Sequence, residues 1–220
     1  MKNKFFALAL AAIGFTQPAM ADNFVVSYDG FHDRLKVIEK GEFEFARVNF
    51  YIVDIATLEP CKIAKGKIVT ENSETPLTYT EDAQLLLPYD DKLDKDKAVL
   101  VIEPQNPKHD CQLKFQIEAE HFGLENLTKA DIYQLHHEFD ELLSDLSGFF
   151  VSKLMSFLLP SQKGISVKFD NQVAFKQPGV SCANNVCKFT VEDSWEGDDF
   201  KFTSDSMSAK PVLITPWIEK

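Results

Sequence analysis

The residues with the clearest chemistry in this sequence are four cysteines: Cys61, Cys111, Cys182 and Cys187. An even set of cysteines in an exported chain forms disulfides. Three pairings are formally open, and the spacing favours Cys61–Cys111 with Cys182–Cys187. Cys182 and Cys187 bracket Ala183-Asn184-Asn185-Val186, and an Asn-Asn pair suits a tight turn, so this bridge would clip a hairpin. Cys111 shares strand parity with Leu113 and Phe115, and Cys61 with Ile63, so both thiols would point into a core. The C-x-x-C motif of redox enzymes is absent. A zinc site built from all four has the wrong spacing.

Histidines offer the next candidate chemistry. His136 with Asp140 and His137 with Glu141 stand at i, i+4, so either pair could supply two metal ligands from one helical face. No third ligand is identified and H-E-x-x-H is missing, so the alternative is a solvated helix face and no metal is assigned. His32, His109 and His121 complete the set of five, and nothing in their context nominates a catalytic partner. Asp90 to Lys97 is rich in carboxylates, but it lacks the glycine of a calcium loop and is interleaved with lysines. It reads as a charged loop before a strand at Ala98. Glu196 to Asp199 reads as a hairpin tip. G-x-S-x-G, S-x-x-K and glycine-rich phosphate loops are all absent, and only nine glycines occur in 220 residues. No catalytic residue and no cofactor is assigned.

The elements that would position these residues fall into four stretches. Residues 1–21 read as a cleaved signal peptide: Lys2 and Lys4, an apolar run from Phe5 to Phe15, Pro18, then Ala19-Met20-Ala21. Residues 22–126 read as short strands in a β-sandwich-like region. Val48, Phe50 and Ile52 share one face, and Cys111 to Glu118 alternates without error. Ala98 to Ile102 is continuously apolar and fits a strand buried on both faces. Residues 127–160 read as a helix, with Thr128 and Asp131 as a capping box and a stripe of Ile132, Leu135, Phe139, Leu142, Leu146 and Phe149. Gln134, His137, Glu138, Glu141 and Asp145 form its polar face. Residues 161–220 return to strands: 165–169, 172–176, 187–191, the Phe200/Phe202 pair and a terminal edge strand from Pro211 to Trp217. The fold class expected is α+β and mainly β: an antiparallel β-sandwich-like module, one long amphipathic helix, then a smaller antiparallel β portion. Residues 22–220 could form one folding unit.

Cleavage after Ala21 would remove two lysines and no acid. That leaves 21 basic against 34 acidic residues, a formal charge of −13 in place of −11. Such a chain repels nucleic acid and anionic membrane surfaces. No other segment approaches the ~20 apolar residues that span a bilayer. With 19 phenylalanines the chain has ample aromatic core. The run Phe149 to Leu159 is apolar enough to serve as a contact patch instead, with Phe149, Phe150, Leu154, Phe157 and Leu158 as candidates.

Asn23 to Lys36 (NFVVSYDGFHDRLK), Leu85 to Ala98 (LLLPYDDKLDKDKA) and the helix ending in Leu158-Leu159-Pro160 resemble a family of exported gammaproteobacterial proteins classed as a domain of unknown function. The resemblance implies export and small size and carries no activity. Together these features point to an exported periplasmic, non-enzymatic binding or envelope-interaction protein, its partner another envelope protein. The second reading is a small-ligand or lipid-binding protein with an apolar pocket between helix and sheet. The third is a metal-dependent or hydrolytic enzyme with a site assembled from distant residues.

Overall fold

The computed structural model describes residues 23–108, 110–120, 122–123, 127–154, 161–205 and 209–219, without the side chains of 149–154 and 161. The signal-peptide segment, His109 and His121 lie outside the described residues. In chain order the elements are β1 (Phe24–Ser27), α1 (Asp29–Lys40), β2 (Ala46–Asp54), β3 (Ile63–Val69), β4 (Glu74–Pro76), α2 (Asp91–Lys95), β5 (Val99–Pro104), β6 (Cys111–Ala119), α3 (Lys129–Leu154), β7 (Ser161–Phe169), β8 (Val180–Ala183), β9 (Val186–Thr190) and β10 (Pro211–Glu219). The chain is α+β and mainly β, and its sheets are antiparallel, as the alternating runs require.

Two four-stranded sheets, β1-β5-β3-β4 and β10-β7-β9-β8, flank a two-stranded ribbon of β2 and β6. The ribbon pairs Ala46 with Ala119 through to Asp54 with Cys111 without a slip. Period-2 alternation on both strands then sorts it into two faces. Val48, Phe50, Ile52, Leu113, Phe115 and Ile117 lie on one face; Asn49, Tyr51, Gln116 and Glu118 lie on the other. The apolar face shares a core with Ile63, Ile68, Leu100 and Ile102 of the first sheet and with Tyr28 and Phe31 of the β1–α1 junction and α1. A second core joins α3 to the other sheet through Ile132, Leu135, Phe139, Leu142, Ile165, Val167, Cys187 and Phe189. Ile38 and Leu146 pack against both cores.

The disulfides are Cys61–Cys111 and Cys182–Cys187. The second clips the β8–β9 hairpin, whose turn residue Asn184 takes φ 56°. Thr128 caps α3: its Oγ1 accepts from the Asp131 amide at 3.0 Å, and its hydroxyl donates to the Asp131 carboxylate at 2.7 Å. Gly148 interrupts α3 at φ 75°, ψ 155°, a conformation open essentially to glycine alone. β10 lies at the edge of its sheet, where its two prolines are tolerated, and its pairing with β7 shifts register between Pro211 and Leu213 and between Trp217 and Ile218.

Four local expectations differ from the structure. Helix α1 occupies part of the stretch read as strands only. The 90–97 stretch contains the short helix α2, because the Asp90 carboxylate accepts from the Lys92 and Leu93 amides and nucleates a turn. β5 is central in its sheet, yet only alternate side chains are fully buried, because the outer face of that sheet is open. Residues 172–176 and the Phe200/Phe202 pair make single bridges, at Phe175–Ser204 and Lys201–Thr128, in place of strands.

Candidate functional site: a groove on the apolar face of the β2–β6 ribbon

The ribbon leaves one edge of β6 close to β10, and the seam between them opens into a depression on each face. On the apolar face the depression is a groove of about 380 Å³. Its floor is Val48, Phe115 and Ile117; Leu143 and Leu146 of α3 form one wall, Pro216 and Ile218 of β10 another, and Arg34 of α1 stands at its margin. Phe115 and Ile218 are each 40 % exposed, so two large apolar side chains in one concavity face solvent. Phe115 completes an aromatic triad, edge-to-face on Phe50 and tilted against Phe31, with Phe50 itself edge-to-face on Phe31, which fixes the groove floor to the first core. The Arg34 guanidinium carbon sits 4.1 Å from the Phe115 ring centre.

What holds the wall of α3 against the ribbon is a buried carboxylate. Glu138 Oε2 accepts from the amides of Phe45 at 2.8 Å and Ala46 at 2.9 Å, and Oε1 accepts from the Glu44 amide at 3.1 Å. Gln134 Nε2 donates to the same Oε1 at 3.1 Å. The periodicity of α3 places Glu138 with the solvated residues, but it is buried, because the start of β2 docks over it and needs an acceptor.

The polar face is self-satisfied. Glu118, also buried, accepts from Asn49 Nδ2, the Tyr51 hydroxyl and Gln116 Nε2, and Asn49 bonds Glu120 as well. Burial first, and the Glu118 bond second, push the Tyr51 hydroxyl far above its ordinary value, so it remains a donor. The depression beside this cluster, about 480 Å³, has Lys114 and Lys168 among its lining. A wider hollow of about 670 Å³ lies over β3 and β4, where Lys67 pairs with Glu74 at 2.9 Å.

Two of the segments that carry the family resemblance meet in space. Buried His32 has its Nε2 2.9 Å from Asp91 Oδ1 and stacks on Tyr89, whose hydroxyl donates to the same oxygen at 3.1 Å. Tyr28 donates to the Pro88 carbonyl and accepts from the Asp90 amide. The His32 bond, then the Tyr89 bond, hold the Asp91 carboxyl below the usual carboxylate range. With its ring buried, His32 works here as a fastener of α1 to α2.

The helical histidines come together with little else. Burial pushes the His136 imidazole below its ordinary value, opposed by Asp140; His137 is exposed and set edge-on against Tyr133. Asp140 and Glu141 are exposed. Among the described residues no three His, Cys, Asp or Glu side chains are grouped to hold a metal. Of the candidate contact patch, Phe149, Phe150 and Leu154 have helical backbone but undescribed side chains, and Phe157 and Leu158 lie outside the described residues. Sequence reasoning missed Arg34, Phe115, Leu143 and Ile218 as a group. The signal available was the ungapped alternation of β6, which puts Phe115 and Ile117 on one face.

Fold and groove define a mainly β protein with an open apolar groove between helices and strands. The chain belongs to the family DUF2987, described as protein of unknown function, which matches residues 20–169. The match takes in α1, the ribbon and α3, and ends with β7, so the β10 wall lies beyond it. No curated protein and no solved structure matches the chain.

Proposed function

We propose that this is an exported, periplasmic, non-enzymatic binding protein that holds an apolar ligand in the groove between α1, α3, β6 and β10. The observation that carries the reading is the groove itself: Phe115 and Ile218 face solvent in a concavity whose lining also includes Val48, Ile117, Leu143 and Leu146. Ligand sites are concave, mostly apolar and of about 300–1,000 Å³, with few polar groups. Two disulfides suit an oxidising compartment, and the Met1 to Ala21 pattern supports export. No helix among the described residues is long and apolar enough to cross a membrane. The binding region of this reading is the groove that α3 walls before its Gly148 break.

The test is titration with the neutral fluorescent probe 1-N-phenylnaphthylamine. Wild type gives a saturable fluorescence rise. Ile218→Glu, at an exposed position, removes it while circular dichroism and melting temperature hold. No saturable rise, or an equal rise with Ile218→Glu, overturns the reading.

A further inference from the structure

We infer that the ligand of this groove is a single long-chain fatty acid bound as its carboxylate, with Arg34 at its head; this rests on the groove reading above. The chain has two arginines, Arg34 and Arg47. Arg47 spends its guanidinium on the backbone carbonyls of Phe43, Glu44 and Ala46. Arg34 uses Nη1 on the Gly30 carbonyl at 2.7 Å and lies over the Phe115 ring. Among the described residues no carboxylate pairs with it. A chain with an excess of eleven negative charges thus holds a cation against an apolar wall with no anion on it among the described residues.

A guanidinium has five N–H donors in a planar fork that matches a carboxylate, and an aromatic face holds that fork in place. Besides Arg34 the lining is mainly hydrocarbon: Thr215 is the other polar side chain, and Gln116 lines the groove while its side chain bonds Glu118 on the opposite face. One charge at the margin of one apolar channel is the complement of one anionic head on one chain. At about 380 Å³ the groove lies near the small end of ligand sites, which fits one acyl chain better than a two-chain phospholipid.

The experiment is displacement of the same neutral probe by hexadecanoate and by hexadecan-1-ol, in wild type, Arg34→Met and Arg34→Lys. Hexadecanoate should displace it at least about tenfold more effectively than the alcohol, the scale of a charge-assisted hydrogen-bonded pair. Arg34→Met should erase that preference while still binding the probe, which shows the fold is intact. Arg34→Lys should restore part of it. Equal displacement by acid and alcohol, or no effect of Arg34→Met, overturns the carboxylate assignment and leaves the groove standing. Failure of the probe to bind wild type overturns both. A dimer in solution that Ile218→Glu dissolves, with no hexadecanoate uptake, makes a second copy the occupant and also overturns the inference.

Discussion

Replacing Glu138 by alanine tests whether one buried carboxylate fastens the groove wall to the ribbon. The side chain accepts three backbone amides at 2.8–3.1 Å, and two of these belong to buried Phe45 and Ala46. Each buried donor left without a partner costs about 1–3 kcal/mol, so the two together cost about 2–6 kcal/mol. Against this, alanine recovers about 1.5–2 kcal/mol of side-chain entropy and removes a charge from a dry site. The expected net loss is about 2 kcal/mol, or roughly 4–8 °C in melting temperature for a chain of this size. Urea unfolding followed by circular dichroism gives the first figure, thermal unfolding the second. Glu138→Gln keeps one acceptor oxygen and turns an amide donor toward other donors, so it should fall between wild type and alanine. The probe should also bind Glu138→Ala less well, since α3 carries Leu143 and Leu146 into the groove. A Glu138→Ala protein within about 0.5 kcal/mol of wild type would refute the reasoning, because that is the range of a surface substitution.

Replacing Cys61 and Cys111 together by alanine should cost about 4 kcal/mol in denaturant unfolding, and replacing Cys182 and Cys187 about 2. The first bridge spans a separation of 50 residues and the second 5, and loop entropy grows with the logarithm of length; equal losses would show that loop length is not what matters. Asp91 has its folded pKa depressed by His32, so its share of stability is present above the unfolded value of about 3.9 and is lost as pH falls through the lower folded value. Unfolding free energies of wild type and Asp91→Asn should therefore converge at acid pH and part above about pH 4; a constant gap across that range would remove the His32–Asp91 bond from the account.

Legibility from the sequence followed locality. The ribbon strand β6 was readable because its alternation is ungapped, and α3 because its stripe keeps helical spacing up to Leu146. The hairpin bridge was readable because its turn and both thiols lie within a few residues. Helix α1 was not: Phe31, Leu35 and Ile38 have helical spacing, but a dozen residues between strands give that period little room. Glu138 was misplaced because periodicity reports a helix face, whereas its burial is decided by the start of β2, over ninety residues earlier. The groove was invisible for the same reason. Arg34, Phe115, Leu146 and Ile218 come from four elements, and only their assembly makes a concavity.

The place of the Cys61–Cys111 bridge bears on the order in which the molecule assembles. β2 and β6 pair in a register that ends with Asp54 opposite Cys111, so the reduced chain must close the whole intervening loop before the ribbon can zip. Such distant pairings are slow to form. Once the thiols are joined, Cys111 is held beside Cys61, and only the short stretch back to Asp54 remains to be closed. Oxidation then shortens the loop that the ribbon must close, and with it the path to the groove floor that Phe115 and Ile117 form.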